Sequence, residues 1–208
     1  MAADTTRSDA PEFAAGDSES LGLFALHSVL LPGAPMGLRV FEPRYLELVA
    51  ECGRNGRSFG VCLILEGEEA GPPAAPAALG TEALIEDFGT GEDGLLTLRV
   101  RGARRFRAQR VRVRDNGRQV ADVTWCDPDP TEPVRPEHGL MVTLLERLLD
   151  HVGGEHAKAA RECFDDAAWV GWRLTELLPL QAPQRQTLLQ LNDPHSRLEH
   201  LLTLLPDV

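Results

Sequence analysis

The sequence has few aromatic residues and almost no lysine. Aromatic residues make up 5% of the 208 residues, and Lys158 is the single lysine. The apolar fraction of 43% is ordinary for a globular protein, so the core is expected to be aliphatic. No G-x-x-x-x-G-K-[ST] string surrounds Lys158, which excludes a P-loop ATPase. No constellation of nucleophile, base and orienting group is recognisable, and we predict neither a catalytic residue nor a cofactor.

Metal-binding and redox motifs are also missing. The four cysteines contain no C-x-x-C pair, which indicates free thiols. His151 and His156, like His195 and His200, lie five residues apart, on different sides of a helix. We therefore predict no metal site. The chain has no run of 18 apolar residues and no cationic, apolar start of a secretory signal, so we expect a soluble cytoplasmic protein with no membrane partner.

Charge is unevenly distributed along the chain. The formal net charge is -11, which disfavours nucleic acid as a partner. Residues 99–118, however, are rich in arginine that alternates with apolar residues, as in a strand with one wet face. We call Arg99, Arg101, Arg112 and Arg114 the arginine face. Two interpretations stay open: these side chains pair with acids on neighbouring strands, or they bind RNA or an acidic partner.

Breaks in composition divide the chain into four parts. Residues 1–19 lack an apolar period and are expected to be a disordered tail. Residues 20–126 show short apolar and alternating strands with one helix after Pro43, and the same pattern predicts a mobile loop over 66–80. Residues 127–136 are a Pro-rich linker, and residues 137–206 repeat leucines at helical spacing. The predicted class is α+β.

Several segments resemble one family in order and spacing. These are FALHSVLLPGAPMGLRVFEPRYLELV (24–49), FGVCLI (59–64), LGTEALIEDF (79–88), LLTLRVRGARRFR (95–107) and WVGWRLTELLPLQAPQRQTLLQLNDPHSRLEHLL (169–202). They are similar to the Lon N-terminal, or LON substrate-binding, domain in its stand-alone bacterial form. The resemblance implies a PUA-like β pseudo-barrel followed by a C-terminal helical bundle, without the ATPase and protease parts of full-length Lon proteases.

The resemblance also implies a function, namely binding of unfolded or exposed polypeptide segments. We expect an adaptor in protein quality control that is not an enzyme, is a monomer or weak dimer, and has a protease or chaperone as a further partner. A groove between barrel and bundle is the expected site, because two-domain junctions commonly form concave apolar sites. Its predicted lining residues are Met36, Leu38, Phe41, Tyr45, Phe88, Trp169 and Trp172.

The most specific element of the resemblance is the motif Phe41-Glu42-Pro43-Arg44-Tyr45. A structural role is favoured over a binding role, because Pro43 can set the turn from strand to helix while Phe41 and Tyr45 bracket it. A partly buried Arg44 needs a carboxylate, and Glu86 or Asp87 is the predicted partner.

Overall fold

A computed structural model describes residues 19–205 as a β-barrel followed by helices. Apart from Glu19, which begins the first strand, the predicted disordered tail lies outside the described residues. The strands are β1 (Glu19–Leu26), β2 (Pro35–Val40), β3 (Phe59–Glu66), β4 (Ala75–Pro76), β5 (Leu79–Thr90), β6 (Leu96–Val113) and β7 (Gln119–Trp125). The helices are α1 (Pro43–Asn55), α2 (Gly139–Val152), α3 (Ala167–Leu177), α4 (Ala182–Gln190) and α5 (Pro194–Leu204). The predicted α+β class is confirmed.

The barrel closes through a parallel pairing between β1 and β3. The other neighbours in the order β1-β7-β6-β5-β3 are antiparallel, and β2 pairs with the first half of β6. Strand β6 bulges between Gly102 and Arg105, and a glycine inside a strand, such as Gly102, is typical of a bulge. A Cβ on Gly102 would lie 2.1 Å from the Leu31 carbonyl oxygen, so only glycine allows this approach.

Helix α1 covers one end of the barrel core. Its buried side chains include Tyr45, Leu48, Val49 and Cys52, which pack on the aliphatic interior of the strands. The apolar spacing also predicts Leu46 on this face, but Leu46 is exposed and Leu48 takes the place. The apolar face of a helix spans several residue positions, and the neighbouring strands decide which of these positions are buried.

The helical half has its own leucine-rich core. Met141, Leu145 and Leu149 of α2 are fully buried against α3 and α5. Helix α3 starts where the Asp166 side chain accepts the N–H of Ala168, because exposed N–H groups of a first turn need an acceptor. Within residues 19–205, no helix is both long and apolar enough to cross a membrane.

The segment predicted as a Pro-rich linker attaches the two halves through a buried ion cluster. The Asp129 carboxylate lies 2.6 Å from an Arg105 nitrogen on β6 and 2.8 Å from an Arg197 nitrogen on α5. The Arg197 guanidinium lies 3.5 Å from the centre of the Trp172 ring. We call Asp129, Arg105, Arg197 and Trp172 the seam cluster. The division of the chain into a barrel unit and a helical unit stays a prediction. The contacts of the seam cluster join these two parts.

The loop predicted to be mobile over residues 66–80 is held to the barrel. The Glu69 carboxylate accepts the N–H of His27 at 2.7 Å, and the Ala74 carbonyl accepts from the Gln119 side chain at 2.7 Å. Ala77 donates its N–H to the Leu63 carbonyl at 2.7 Å. The composition predicts a loop but not its anchoring, because these partners are distant in sequence.

Replacing Asp129 with Asn should destabilise the fold, because two buried guanidinium groups would lose their counter-charge. Breaking such a pair costs about 3–5 kcal/mol. We expect a loss in this range in the free energy of unfolding, measured with urea. Asp127→Asn, at an exposed position of the same segment, is the matched control. Equal, small losses in both variants would contradict a stabilising role for the seam cluster.

Candidate functional site

The junction predicted as the binding groove is filled. Trp172 is 6% exposed and packs with aliphatic residues of the barrel and α4, and Trp169 is half-buried in the core of the helical half. The apolar filling consists of Val29, Leu31, Ala34, Leu63, Ala77, Leu79, Trp172 and Leu189. The prediction of a binding groove at this junction is therefore wrong. Trp169 and Trp172 stabilise the fold from within.

An open apolar cavity lies instead on the barrel, beside β2. Its volume is about 540 Å³, and we call it the β2 cavity. It brings together three of the predicted residues, Met36, Leu38 and Phe41, with Phe24 and Leu26 of β1. Phe41 is 55% exposed and adjoins the apolar side chains that line this cavity.

The strand-to-helix turn explains why Phe41 is exposed at this place. Leu38 is buried along β2, and Phe41 follows the end of the strand. Glu42 then adopts an extended backbone and Pro43 occupies the first turn of α1. The chain turns away from the barrel before the Phe41 side chain reaches its core. Pro43 has the predicted structural role at the turn.

Tyr45 supports the cavity from behind. Its ring stacks on Phe24 with centroids 3.9 Å apart and planes 8° apart, and Tyr45 is 7% exposed. Burial raises the pKa of the Tyr45 hydroxyl above its ordinary value, against the opposing effect of nearby Arg44. The prediction that Phe41 and Tyr45 bracket Pro43 is not reproduced, because Tyr45 stacks on β1 instead. Tyr45 fixes Phe24, which lines the cavity.

Arg44 contacts neither Glu86 nor Asp87, so that prediction is wrong. Its Nε lies 2.5 Å from the Glu42 carboxylate, and another of its nitrogens donates to the Glu69 carbonyl at 3.0 Å. The Glu42 carboxylate also accepts the N–H of Gly71 at 2.6 Å. The motif therefore holds the loop over residues 66–80 beside the β2 cavity. Sequence reasoning overlooked Glu42, which lies two residues from Arg44.

Phe88 lies away from the β2 cavity, in a second cleft. This cleft has a volume of about 740 Å³ and runs between the end of α1 and β5; we call it the β5 cleft. Phe88 is 50% exposed there. The seven predicted lining residues thus divide among the β2 cavity, its support, the β5 cleft, the filled junction (Trp172) and the core of the helical half (Trp169).

The arginine face is largely neutralised by carboxylates. Arg99 lies 3.1 Å from Glu86 and 3.1 Å from Glu155, and Arg101 contacts the same two side chains. Hydrogen bonds from Arg101 hold the pKa values of Glu86 and Glu155 below their ordinary range. Arg112 pairs in the same way with Asp122 on β7, whereas Arg114 has no ion pair within residues 19–205. The geometry therefore favours the first interpretation, in which the arginines pair with acidic side chains of the same protein.

The C-terminal end of β6 was predicted to have one face buried and one face in water. Val111 and Val113 alternate with the arginines, yet they are 39% and 55% exposed. This end of β6 pairs with β7 but extends beyond the barrel core, so both of its sides face water. Alternation therefore predicts the strand correctly and the burial wrongly.

A buried histidine pair joins the start of α2 to α5. The Nδ1 atoms of His138 and His195 lie 3.3 Å apart, and His195 Nε2 lies 3.2 Å from Glu132. Burial and the neighbouring His195 lower the pKa of His138. Across the part of the chain that the structure describes, no three His, Cys, Asp or Glu side chains form a metal cluster. No local pattern in the sequence predicts that His138 and His195, which are 57 residues apart, lie next to each other.

The thiols of Cys52, Cys62 and Cys126 are unsuited to nucleophilic chemistry. Burial raises the pKa of Cys62 to about 12, and it also raises the pKa values of Cys52 and Cys126. A thiol with a raised pKa stays protonated near neutral pH, and the thiolate is the reactive form. These three cysteines behave as small apolar residues.

The sequence matches the family described as the ATP-dependent protease La (LON) substrate-binding domain over residues 20–207. The chain therefore belongs to the LON substrate-binding domain family. The match covers this domain and includes no ATPase or protease domain. This result confirms the resemblance of the FEPRY region and the segments around it.

Two solved structures share the fold. The Lon N-terminal domain protein from Xanthomonas campestris is 59% identical, with a TM-score of 0.75 over 89% of this chain and 98% of that chain. The N-terminal domain of Mycobacterium avium complex Lon protease is 17% identical, with a TM-score of 0.64 over 89% of this chain and 97% of that chain. The second likeness shows the fold alone.

The pairing of Glu155 with the arginine face predicts a pH dependence. A carboxylate whose pKa is lowered by folding stabilises the protein above its unfolded pKa, about 4.3 for Glu, and this contribution disappears as pH falls through the folded value. Glu155→Gln should therefore be less stable than the wild type at neutral pH. The difference should shrink below about pH 4.3, as measured by urea unfolding at several pH values.

Glu162→Gln is the control, since this exposed glutamate forms no ion pair within residues 19–205. A Glu155→Gln difference that stays constant down to low pH would refute the assigned pairing.

Proposed function

We propose that this LON-domain protein binds extended apolar segments of unfolded polypeptides at the β2 cavity. The observation that carries the proposal is the exposed Phe41 ring, which converges with Met36, Leu38 and Phe24 on one open cavity. Exposed apolar surface with a concave shape is typical of binding sites for other molecules. Membership in a substrate-binding family supports the same conclusion.

The edge of β2 supports an extended ligand in particular. Within residues 19–205, β2 pairs with β6 alone, so its other edge has no strand partner. An unpaired edge can accept an added strand, whose backbone bonds give affinity while alternate side chains enter apolar pockets. Such recognition depends little on sequence, which suits a protein that selects unfolded chains.

The family function extends this proposal to an adaptor role in protein quality control. The protein would hold an unfolded chain without cleaving it and would present that chain to a protease or a chaperone. The low reactivity of the buried thiols and the absence of a P-loop string from the sequence support a role without catalysis.

Replacing Phe41 with Ser should weaken binding of an unfolded casein-like protein. Full burial of a Phe side chain contributes about 1.5–3 kcal/mol, and since about half of Phe41 is already buried, the Kd should rise roughly fourfold to twelvefold. Fluorescence anisotropy of the labelled ligand measures this change. Because the Phe41 ring is half outside the fold, the melting temperature of the variant should stay close to that of the wild type.

Leu140→Ser is the matched control, because Leu140 is 80% exposed on α2, far along the chain from the barrel. It should leave the Kd unchanged. No binding by the wild type at micromolar concentration, or equal Kd values for wild type and Phe41→Ser, would refute the proposal. A steep loss of affinity with salt would favour an electrostatic partner at the arginine face instead.

A further inference from the structure

The loop over residues 66–80 brings acidic side chains to one side of the β2 cavity. Glu69 lines the cavity together with apolar side chains, and Glu68 precedes it on the loop. The side chain of Glu68 is 84% exposed. Arg44 donates to the Glu69 carbonyl and the His27 N–H donates to the Glu69 carboxylate. Glu69 therefore has a defined position beside the cavity.

The carboxylate of Glu69 has no cationic partner in the described part of the chain. It accepts the backbone N–H of His27 at 2.7 Å, and a backbone amide carries no formal charge. The guanidinium of Arg44 lies nearby, but its charge is paired with the Glu42 carboxylate. Among the described residues, Glu68 approaches only the ring of His27, at 3.7 Å. This side of the cavity therefore carries negative charge that no arginine or lysine compensates.

Arg39 also lines the cavity, but its charge is already neutralised. It forms an ion pair with Asp93, in the turn between β5 and β6. An acidic ligand at the cavity would find no unpaired cation and would meet the carboxylate of Glu69. Charges of like sign that are brought together at an interface disfavour the wrong partner, whereas complementary charges favour the right one. The cavity is therefore complementary to a basic ligand.

The apolar wall of the cavity has room for the stem of a long side chain. Gly37 of β2 lies on this wall, and a Cβ added there would meet no atom of the described chain within 4 Å, its chain neighbours aside. Met36 and the half-exposed ring of Phe41 line the same cavity. Lys and Arg side chains pack their apolar stems on such surfaces while the charged end stays in water or meets a carboxylate. A Lys or Arg side chain therefore matches both the apolar and the acidic part of the cavity.

We propose that the β2 cavity selects extended segments in which an apolar residue is accompanied by a nearby Lys or Arg. Alternate side chains of an extended segment point to the same side, so an apolar residue can lie on Phe41 while a basic residue two positions away reaches the acidic side. Glu69 is the specificity-determining residue, and Glu68 adds to the same field. This inference rests on the proposed function and adds a charge preference to it.

Three synthetic peptides test this preference. They share one apolar core and differ only in the residues on both sides of it, which are Lys, Ser or Glu. Fluorescence anisotropy with the full chain, at one low ionic strength, measures each Kd. The Lys peptide should bind roughly fivefold more tightly than the Ser peptide, and the Glu peptide roughly fivefold more weakly, because exposed ion pairs contribute modestly.

The outcome separates this inference from the proposed function. Equal Kd values for the three peptides would overturn the charge preference and leave the proposed function intact. No binding of any peptide at micromolar concentration would overturn both.

Two variants of the loop locate the preference. In Glu69→Gln, the amide oxygen can still accept the His27 N–H, so the loop should stay in place while the charge is lost. The ratio between the Kd values of the Glu and Lys peptides should fall about threefold, because one of the two carboxylates is removed. Glu68→Lys changes an exposed position and should reduce the same ratio at least as much, because an attractive charge becomes a repulsive one for the Lys peptide.

Glu162→Lys is the matched control for Glu68→Lys. It changes the net charge by the same amount, at an exposed position in the helical half. The ratio of Kd values should stay as in the wild type. An equal loss in Glu162→Lys would assign the preference to the overall charge of -11, and an unchanged ratio in both loop variants would place it at another surface. Either result would overturn the inference.

Discussion

The contact of Asp129 with Arg105 and Arg197 determines how the rest of the molecule is arranged. One carboxylate compensates two guanidinium groups that are almost completely buried, at 2.6 and 2.8 Å. Buried charges are tolerated only when they are paired, so barrel and helices must meet in one orientation. Trp172 lies against Arg197 and closes the remaining space. The junction is thereby a part of the core, and binding surfaces can form only elsewhere.

The barrel provides those surfaces because its strands are unequal in length. Strand β6 pairs with β2 over its first half and with β7 over its second, which leaves an edge of β2 and part of an edge of β5 without partners in residues 19–205. Each edge adjoins an exposed aromatic side chain, Phe41 directly after β2 and Phe88 on β5 itself. Arg99, Arg101 and Arg112 of the arginine face are paired with carboxylates, which favours the apolar edges as the places for recognition.

The sequence predicts those features that depend on near neighbours along the chain. Alternation revealed the strands, Pro43 marked the start of α1, and Gly102 indicated the bulge, since each is a local backbone property. Met36, Leu38 and Phe41 lie together at the β2 cavity because they are close along the chain, in β2 and directly after its end. The partner of Arg44, the filled junction around Trp172 and the pair of His138 with His195 were missed, because each is decided by side chains brought together only by folding.

Site-specific photo-crosslinking tests most directly whether the barrel, and not the junction, receives unfolded polypeptide. A photoreactive phenylalanine analogue would replace Phe41 in one chain and Leu140 in another, and each chain would be irradiated with an unfolded casein-like protein. We expect a covalent adduct from position 41 and none from position 140. Adducts of equal yield from both positions, or none from position 41, would contradict it.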